Sequence, residues 1–345
     1  METPLIEVHR AAGAKLAEYD GCVLPESFSD LERECRAVRE SAALYDTNWQ
    51  AIFTLAGRDR AKYLHNISSN DIKGLAEGGG TLALLLNPQG RILAELEVYA
   101  LPEKLLVLTH ASRREATLAT LKKYVIGSQV TIEDVTDRYG SLGVSGMGSD
   151  LSEPGAKEMM FESGQGYVLR RTRIGNVNTQ FVAPLADLPG LWQKMLGVVR
   201  AAGGEPIGMA AFHALRLEAG VPWYPADFND GTIPHEAALE TTHISFTKGC
   251  YTGQEIVERV RSRGHVNRKR VGLKFSTAAP PAPGTKLLAG GAEIGFVTSG
   301  AVSPTAGAIG MGYVRREQFA PGSVVEFEGG SATVWEASRE PAVQS

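Results

Sequence analysis

The sequence predicts an α+β protein made of two similar ferredoxin-like halves and a small C-terminal β-barrel. Three observations carry this expectation. Strand, helix, strand, strand, helix and strand signals occur in the same order twice, within residues 51–135 and again from residue 141. In the first pass, two apolar alternating runs, Thr81–Leu86 and Ile92–Leu101, are joined by Asn87-Pro88-Gln89-Gly90. Proline there pre-sets φ and glycine accepts a positive one, which is hairpin-turn chemistry. After Arg270 the texture changes to short apolar runs punctuated by Gly and Pro, the pattern of a compact β domain. The duplicated order has no visible residue-level repeat beneath it.

At 345 residues the chain exceeds what one small core supports. The expected division is a region of two interleaved α+β subdomains over 1–265, the second half beginning about residue 138. A barrel over 266–338 and a disordered tail over 339–345 follow. With 35 Lys and Arg against 39 Asp and Glu, the net charge is −4, so no whole-molecule field draws the protein to nucleic acid or membrane. The N-terminal M-E-T-P-L-I-E-V-H-R has early acids and no apolar segment, unlike a secretory signal. The longest apolar run, Leu82–Leu86, is far short of a membrane span. Cys22, Cys35 and Cys250 are odd in number and lack the paired spacing of a disulfide framework or metal site. The expectation is therefore no metal and a reducing, cytoplasmic location.

Taken in order, Phe28–Tyr45 has helical spacing at Leu31, Cys35, Val38 and Leu44, with Ser29 as cap. Ala51–Leu55 reads as a strand, Asp59–His65 as a short helix, residues 69–71 as a turn and Leu105–Leu108 as a strand. Arg113–Tyr124 reads as a helix and Val130–Val135 as a closing strand. In the second half, Ser141–Val144, Gly166–Arg171 and Thr179–Val182 are strands. The helix Leu185–Val199 turns Leu188, Leu191, Trp192 and Met195 to one side, and Ile207–Glu218 is a helix ending at Gly220. A Pro-rich loop at 276–285 precedes strands at Lys286–Leu288, Ile294–Val297, Ala308–Val314, Val324–Phe327 and Ala332–Trp335.

The most chemically suggestive stretch is Phe246–Gly264. Thr252 and Glu255 have capping-box spacing, and Ile256, Val257 and Val260 share one face of a helix that Gly264 would end. Cys250 thus precedes a helix N-terminus, where free N–H groups and the dipole favour an anion, and Lys248 adds positive charge. A lowered thiol pKa follows from that placement. A buried, inert cysteine fits the same residues, and the local chemistry does not separate the two.

Glu218, in Leu215-Arg216-Leu217-Glu218-Ala219-Gly220, falls in a last helical turn, where the dipole disfavours a carboxylate. A buried acid there needs donors, and the N–H/NH2 edge of an aminopyrimidinone, as in pterins and guanines, supplies two. Trp223, Tyr224 and Phe228 would stack on such a ring. An exposed helix-end glutamate beside ordinary core aromatics is the reading these residues alone favour, and Glu236 carries the same ambiguity. Arg259, Arg261, Arg263, His265, Arg268, Lys269 and Arg270 form either a grip for a polyanion or a solvated face. They lack the aromatic interleaving of single-strand readers, so direct RNA binding is not expected. Phosphate-loop, dinucleotide, H-E-x-x-H and G-x-S-x-G signatures are absent.

Lys248-Gly249-Cys250-Tyr251-Thr252-Gly253-Gln254-Glu255 resembles the signature of the YgfZ-type folate-binding proteins, which share a fold with the glycine-cleavage T-protein, an aminomethyltransferase. Segments 34–46, 69–72, 85–93, 215–220, 233–237 and 295–305 extend the resemblance in order over nearly the whole chain. It implies three sub-structures around a central hole that binds tetrahydrofolate or its 5-formyl or 5,10-methylene derivative. It assigns the pterin to Glu218; Tyr224, Glu236 and Arg259 join it as candidate folate contacts on the strength of their own chemistry. It assigns a functional thiol of unsettled chemistry to Cys250; by the local reading Lys248 and the helix start at Gly253 would poise it, within a motif completed by Gly249, Tyr251, Gln254 and Glu255. The implied partners are iron–sulfur enzymes or cluster-assembly proteins, with an indirect effect on tRNA modification. One departure matters: where the aminomethyltransferases carry two consecutive aspartates, this chain has Ala94-Glu95. Misplacing a catalytic group by 1 Å costs about a hundredfold, which speaks against aminomethyl transfer. The alternatives are a true aminomethyltransferase with Glu95 as the acid and, behind it, an RNA-binding module.

Overall fold

The computed structural model describes residues 1–146, 151, 154–174 and 177–335. The described α-helices are α1 (Ile6–Ala11), α2 (Leu31–Glu40), α3 (Arg60–Ile67), α4 (Arg114–Lys123), α5 (Leu188–Ala201), α6 (Met209–Glu218) and α7 (Gln254–Arg263). None is long and apolar enough to cross a membrane.

The first alternating stretch folds as a five-stranded antiparallel sheet. Its order is Gly80–Leu86, Ile92–Ala100, Lys104–His110, Gln50–Ala56 and Thr131–Asp134. Where both faces are covered, period-two alternation puts apolar residues on both, as in Lys104–His110, whose Leu105 and Val107 face one side and Leu106 and Leu108 the other. Phe53, Leu85, Ala94, Leu96 and Val107 meet Tyr63 and Leu64 of α3 and Leu121 of α4. On the opposite face Ile52, Tyr99, Leu106 and Leu108 meet Tyr167, Leu169 and Val182 of a second sheet.

That second, six-stranded sheet runs Gly155–Phe161, Gly164–Thr172, Val177–Pro184, Tyr139–Ser145, Ala43–Asp46 and Glu205–Pro206. Trp192, Met195, Leu196 and Val199 of α5 cover its outer side. The halves are thus interleaved, since an early strand completes the later sheet. C-terminally, six strands close into a barrel: Arg268–Phe275, Gly307–Arg315, Ala292–Ser303, Lys286–Ala289, Val324–Phe327 and Gly330–Trp335. Helix α6 sits between these parts: Phe212 and Leu215 join the cluster of Trp49, Cys35 and Trp223, while Leu217 meets Ile309 and Met311 of the barrel.

Several local expectations change. The helical reading of Phe28–Tyr45 stops at Glu40, and Asp30 rather than Ser29 caps α2, accepting from the Arg33 N–H at 2.9 Å. Ala43–Asp46 is a strand because every one of its residues is buried, with sheet neighbours on both edges. The hairpin Lys15–Tyr19/Cys22–Ser27, the edge strand Gly155–Phe161 and the barrel strand Arg268–Phe275 had no clear apolar run to announce them. Residues 339–345 lie outside the described residues.

Candidate functional site

A cleft opens between the inner sheet faces and the irregular segment that follows α6. It holds about 490 Å³ of empty space, part of it open to solvent, lined by Trp49, Gln50, Glu95, Glu97, His110, Arg171, Arg173, Trp223 and Tyr224 among others. Its floor is charged. Buried Glu97 pairs with Arg171, with Arg173 at 2.7 Å and with the Gln50 amide at 2.9 Å, while the Tyr99 hydroxyl donates at 3.2 Å. Burying charge is costly unless every lone pair is used, and here the arginines and amides use them.

Two residues earlier on the same face stands Glu95, 2.9 Å from His243 Nε2 and 3.7 Å from Arg171. Burial pushes its pKa up, but the His243 hydrogen bond and the charges of Arg171 and Arg173 outweigh that and hold it below the ordinary value. Glu95 is therefore an ionised carboxylate in the cleft. Ala94 faces the other way, into the core beneath α3 and α4. The side chain that matters to a ligand at this pair is thus that of residue 95, and the weight placed on Ala94 shifts to the extra methylene of Glu95.

The walls are aromatic. Trp223 lies edge-on to Trp49 at 5.1 Å and to His213 at 4.9 Å. Tyr224 accepts from Arg113 Nε at 2.6 Å and donates to the Leu93 carbonyl at 3.0 Å, so its ring is fixed in the lining. Phe228 is fully buried behind it.

The other candidates stand elsewhere. Glu218 is outside the cleft lining. Both its oxygens accept from Arg39, at 2.7 and 2.8 Å, and Ser303 donates to Oε1, so the donors a helix-end acid needs come from α2 and the barrel. Glu236 pairs with Arg268 at 3.2 Å. Arg259 is exposed on α7, and its neighbour Arg261 lies over the Phe246 ring at 4.2 Å.

Cys250 is exposed. Lys248 does not point at it: its ammonium donates to the His65 and Ser68 carbonyls at the end of α3 and stands 4.8 Å from the Tyr251 ring centroid. The Thr252–Glu255 capping box does not form. Helix α7 starts at Gln254 behind Gly253, whose φ of 82° marks a left-handed N-cap with no side-chain bond. The reason is contact: Gly253 lies against the N-P-Q-G turn, where a Cβ would come within 2.6 Å of the Asn87 carbonyl oxygen. Gly264 does end α7 in the left-handed conformation. Gly249 has open space around it, Glu255 is exposed, and the Gln254 N–H donates to the Tyr251 carbonyl at 3.2 Å.

Sequence reasoning missed Glu97, Arg171, Arg173, His243 and His110. A signal existed for three of them. Acids at 95 and 97 share one face of an apolar strand, and arginines at 171 and 173 stand two apart at the end of another. Two such pairs in buried strands must meet something of opposite charge.

Residues 5–152 match the GCVT N-terminal domain, and residues 268–342 match the glycine cleavage T-protein C-terminal barrel domain. An aminomethyltransferase from Rubrobacter xylanophilus is 30% identical over 329 residues, covering 91% of this chain and 87% of that protein. One from Streptomyces coelicolor is 30% identical over 341 residues, 93% and 91% of the two chains. The crystal structure of glycine cleavage system aminomethyltransferase T from Bartonella henselae superposes with a TM-score of 0.90 at 26% identity, covering 97% of each chain. Matched at both ends and related along almost its full length, the chain belongs to the glycine cleavage T-protein (aminomethyltransferase) family.

Proposed function

We propose that this chain binds a tetrahydrofolate in the cleft and serves one-carbon chemistry of the T-protein kind. The observation that carries the reading is Glu95, an ionised acid beside the aromatic wall of Trp49, Trp223 and Tyr224. An acceptor-only carboxylate next to flat apolar surfaces suits a ring with an N–H edge. Bound tetrahydrofolate supplies the nitrogen nucleophile that accepts a one-carbon unit. Glu95 would take the proton that nitrogen releases, and the Arg171–Glu97–Arg173 floor would hold Glu95 in place. The resemblance gave the ring to Glu218, but of the two acids only Glu95 lines the cleft. Calorimetric titration with 5-formyltetrahydrofolate tests this. Glu95→Gln should weaken binding at least tenfold while Glu218→Gln lowers thermal stability and leaves binding intact. Loss of binding in Glu218→Gln at unchanged stability would return the role to Glu218.

The family relatives' name favours aminomethyl transfer: methylene-tetrahydrofolate should form when the chain is mixed with tetrahydrofolate and an aminomethylated carrier protein. A second reading rests on Cys250, which is exposed within the octapeptide that resembles the YgfZ-type signature. It makes the chain a folate-binding protein that supports assembly or repair of iron–sulfur enzymes, and through them tRNA modification. Deletion and complementation with Cys250→Ala separates the two. Lost iron–sulfur enzyme activity with no aminomethyl transfer by the wild type supports the second; transfer unaffected by Cys250→Ala supports the first.

A further inference from the structure

We propose that His110 contacts the ligand in this cleft, presenting a fixed Nε2–H donor to the ring carbonyl of the bound folate and so selecting a 4-oxo over a 4-amino ring. The inference rests on the folate reading above and adds a specificity determinant to it. His110 ends the strand Lys104–His110, is 7% exposed and lines the cleft. Its Nδ1 is committed: the Ser112 backbone N–H donates to it at 3.2 Å, and the Ser112 hydroxyl lies 2.8 Å away. A nitrogen that accepts from a backbone N–H uses its lone pair, so in the neutral ring the proton sits on Nε2. Burial pushes the imidazole pKa down, against Asp20 and Glu95, which keeps the ring neutral.

Among the described residues Nε2 is buried and has no hydrogen-bond partner. The Asp20 carboxylate is 3.9 Å away, beyond hydrogen-bond reach, and the same oxygen already accepts the Trp223 indole N–H at 2.8 Å. Buried donors without acceptors are rare and costly, and a ligand carbonyl would relieve this one. Which carbonyl follows from position. His110 stands edge-on to Trp223 at 5.8 Å, so the acceptor it meets belongs to whatever lies against that indole, the flat ring rather than the glutamyl end.

The test compares tetrahydrofolate with tetrahydroaminopterin, which differ by the 4-oxo and 4-amino groups, using calorimetry on the full chain. Wild type should prefer the 4-oxo ligand at least tenfold. His110→Leu should lose that preference, and His110→Gln, whose amide nitrogen falls near Nε2, should keep it. If wild type binds neither ligand, the folate reading fails and this inference with it. If it binds both equally, or His110→Leu retains the preference, His110 is overturned while folate binding stands. Nitrogen-detected NMR of the unliganded wild type guards against a variant that misfolds. An Nε2-protonated His110 whose proton signal moves on adding tetrahydrofolate is expected, and an Nδ1-protonated ring overturns the proposal.

Discussion

Lys248 lies two residues from Cys250, yet its ammonium is spent on the carbonyls of His65 and Ser68, so it clasps the cysteine loop to the end of α3. Burial pushes its pKa down to about 8, with Asp71 opposing. An unfolded lysine keeps its proton to about 10.4, so between about 8 and that value the unfolded chain binds more protons and stability rises with pH. Lys248→Met should remove that rise. Urea midpoints measured from pH 7.5 to 10.5 in both proteins check it, and parallel profiles would contradict the clasp. Sequence spacing suggested the thiol as the partner because a long side chain's direction cannot be read from its neighbours. The partners that capture Lys248 are 180 and 183 residues away in the chain. Glu218 teaches the converse: the need for donors was legible from its helix-end position, but their source, Arg39 and Ser303, was not.

At the level of elements, the N-P-Q-G turn and α7 are docked glycine against glycine. A Cβ on Gly90 would come within 2.9 Å of Ile256 Cβ, and Gly253 is equally confined. Gly253→Ala combines a positive φ with a backbone clash, each worth about 1–3 kcal/mol, and should lower unfolding free energy by about 2 kcal/mol or more. Thr252→Ala is the matching control. A working N-cap costs about 1 kcal/mol to remove; because Thr252 does not cap α7, its loss should stay within about 0.5 kcal/mol. Denaturant titrations of both variants decide the matter. The turn and the α7 helix were each legible from local residue chemistry. Their contact was not, and that contact sets where the helix begins. Strands were legible where burial leaves an apolar run, as in Lys104–His110, and hidden where half the residues face water, as in Gly155–Phe161.

Across the whole molecule, Asp227 joins three parts of the chain. It is fully buried and meets Arg216 of α6 at 2.7 Å, the Trp223 N–H at 2.8 Å, and the barrel hydroxyls of Thr298 and Ser299, both at 2.6 Å. Burial pushes its pKa up, but Arg216 and the two hydroxyls outweigh burial and hold it below the ordinary value. Its stabilisation is therefore complete at neutral pH and lost as pH falls below about 3.9 and through the depressed folded value. Asp227→Ala leaves Arg216 buried without its counter-charge and should cost about 3–5 kcal/mol. Thermal unfolding, with hydrogen exchange on the barrel strands, measures it. A loss under about 1 kcal/mol would mean that apolar contacts such as Leu217 against Met311 fasten the barrel alone. The barrel and both halves were foreseeable from turn chemistry and element order. This joint was not, because its members come from three separate parts of the chain and Asp227 lies in irregular chain with no periodicity to mark it.

The strand Ala43–Asp46, held between Tyr139–Ser145 and Glu205–Pro206, also sets a timetable for synthesis. On the ribosome the first sheet has all its strands once residue 134 has emerged, but Ala43–Asp46 must wait for residues 139–206. During that interval the nascent chain carries an apolar segment with both edges unsatisfied, the kind of segment that mispairs with other chains. An early segment is thus left open to mispairing during biogenesis, and its protection depends on how quickly translation reaches the second sheet.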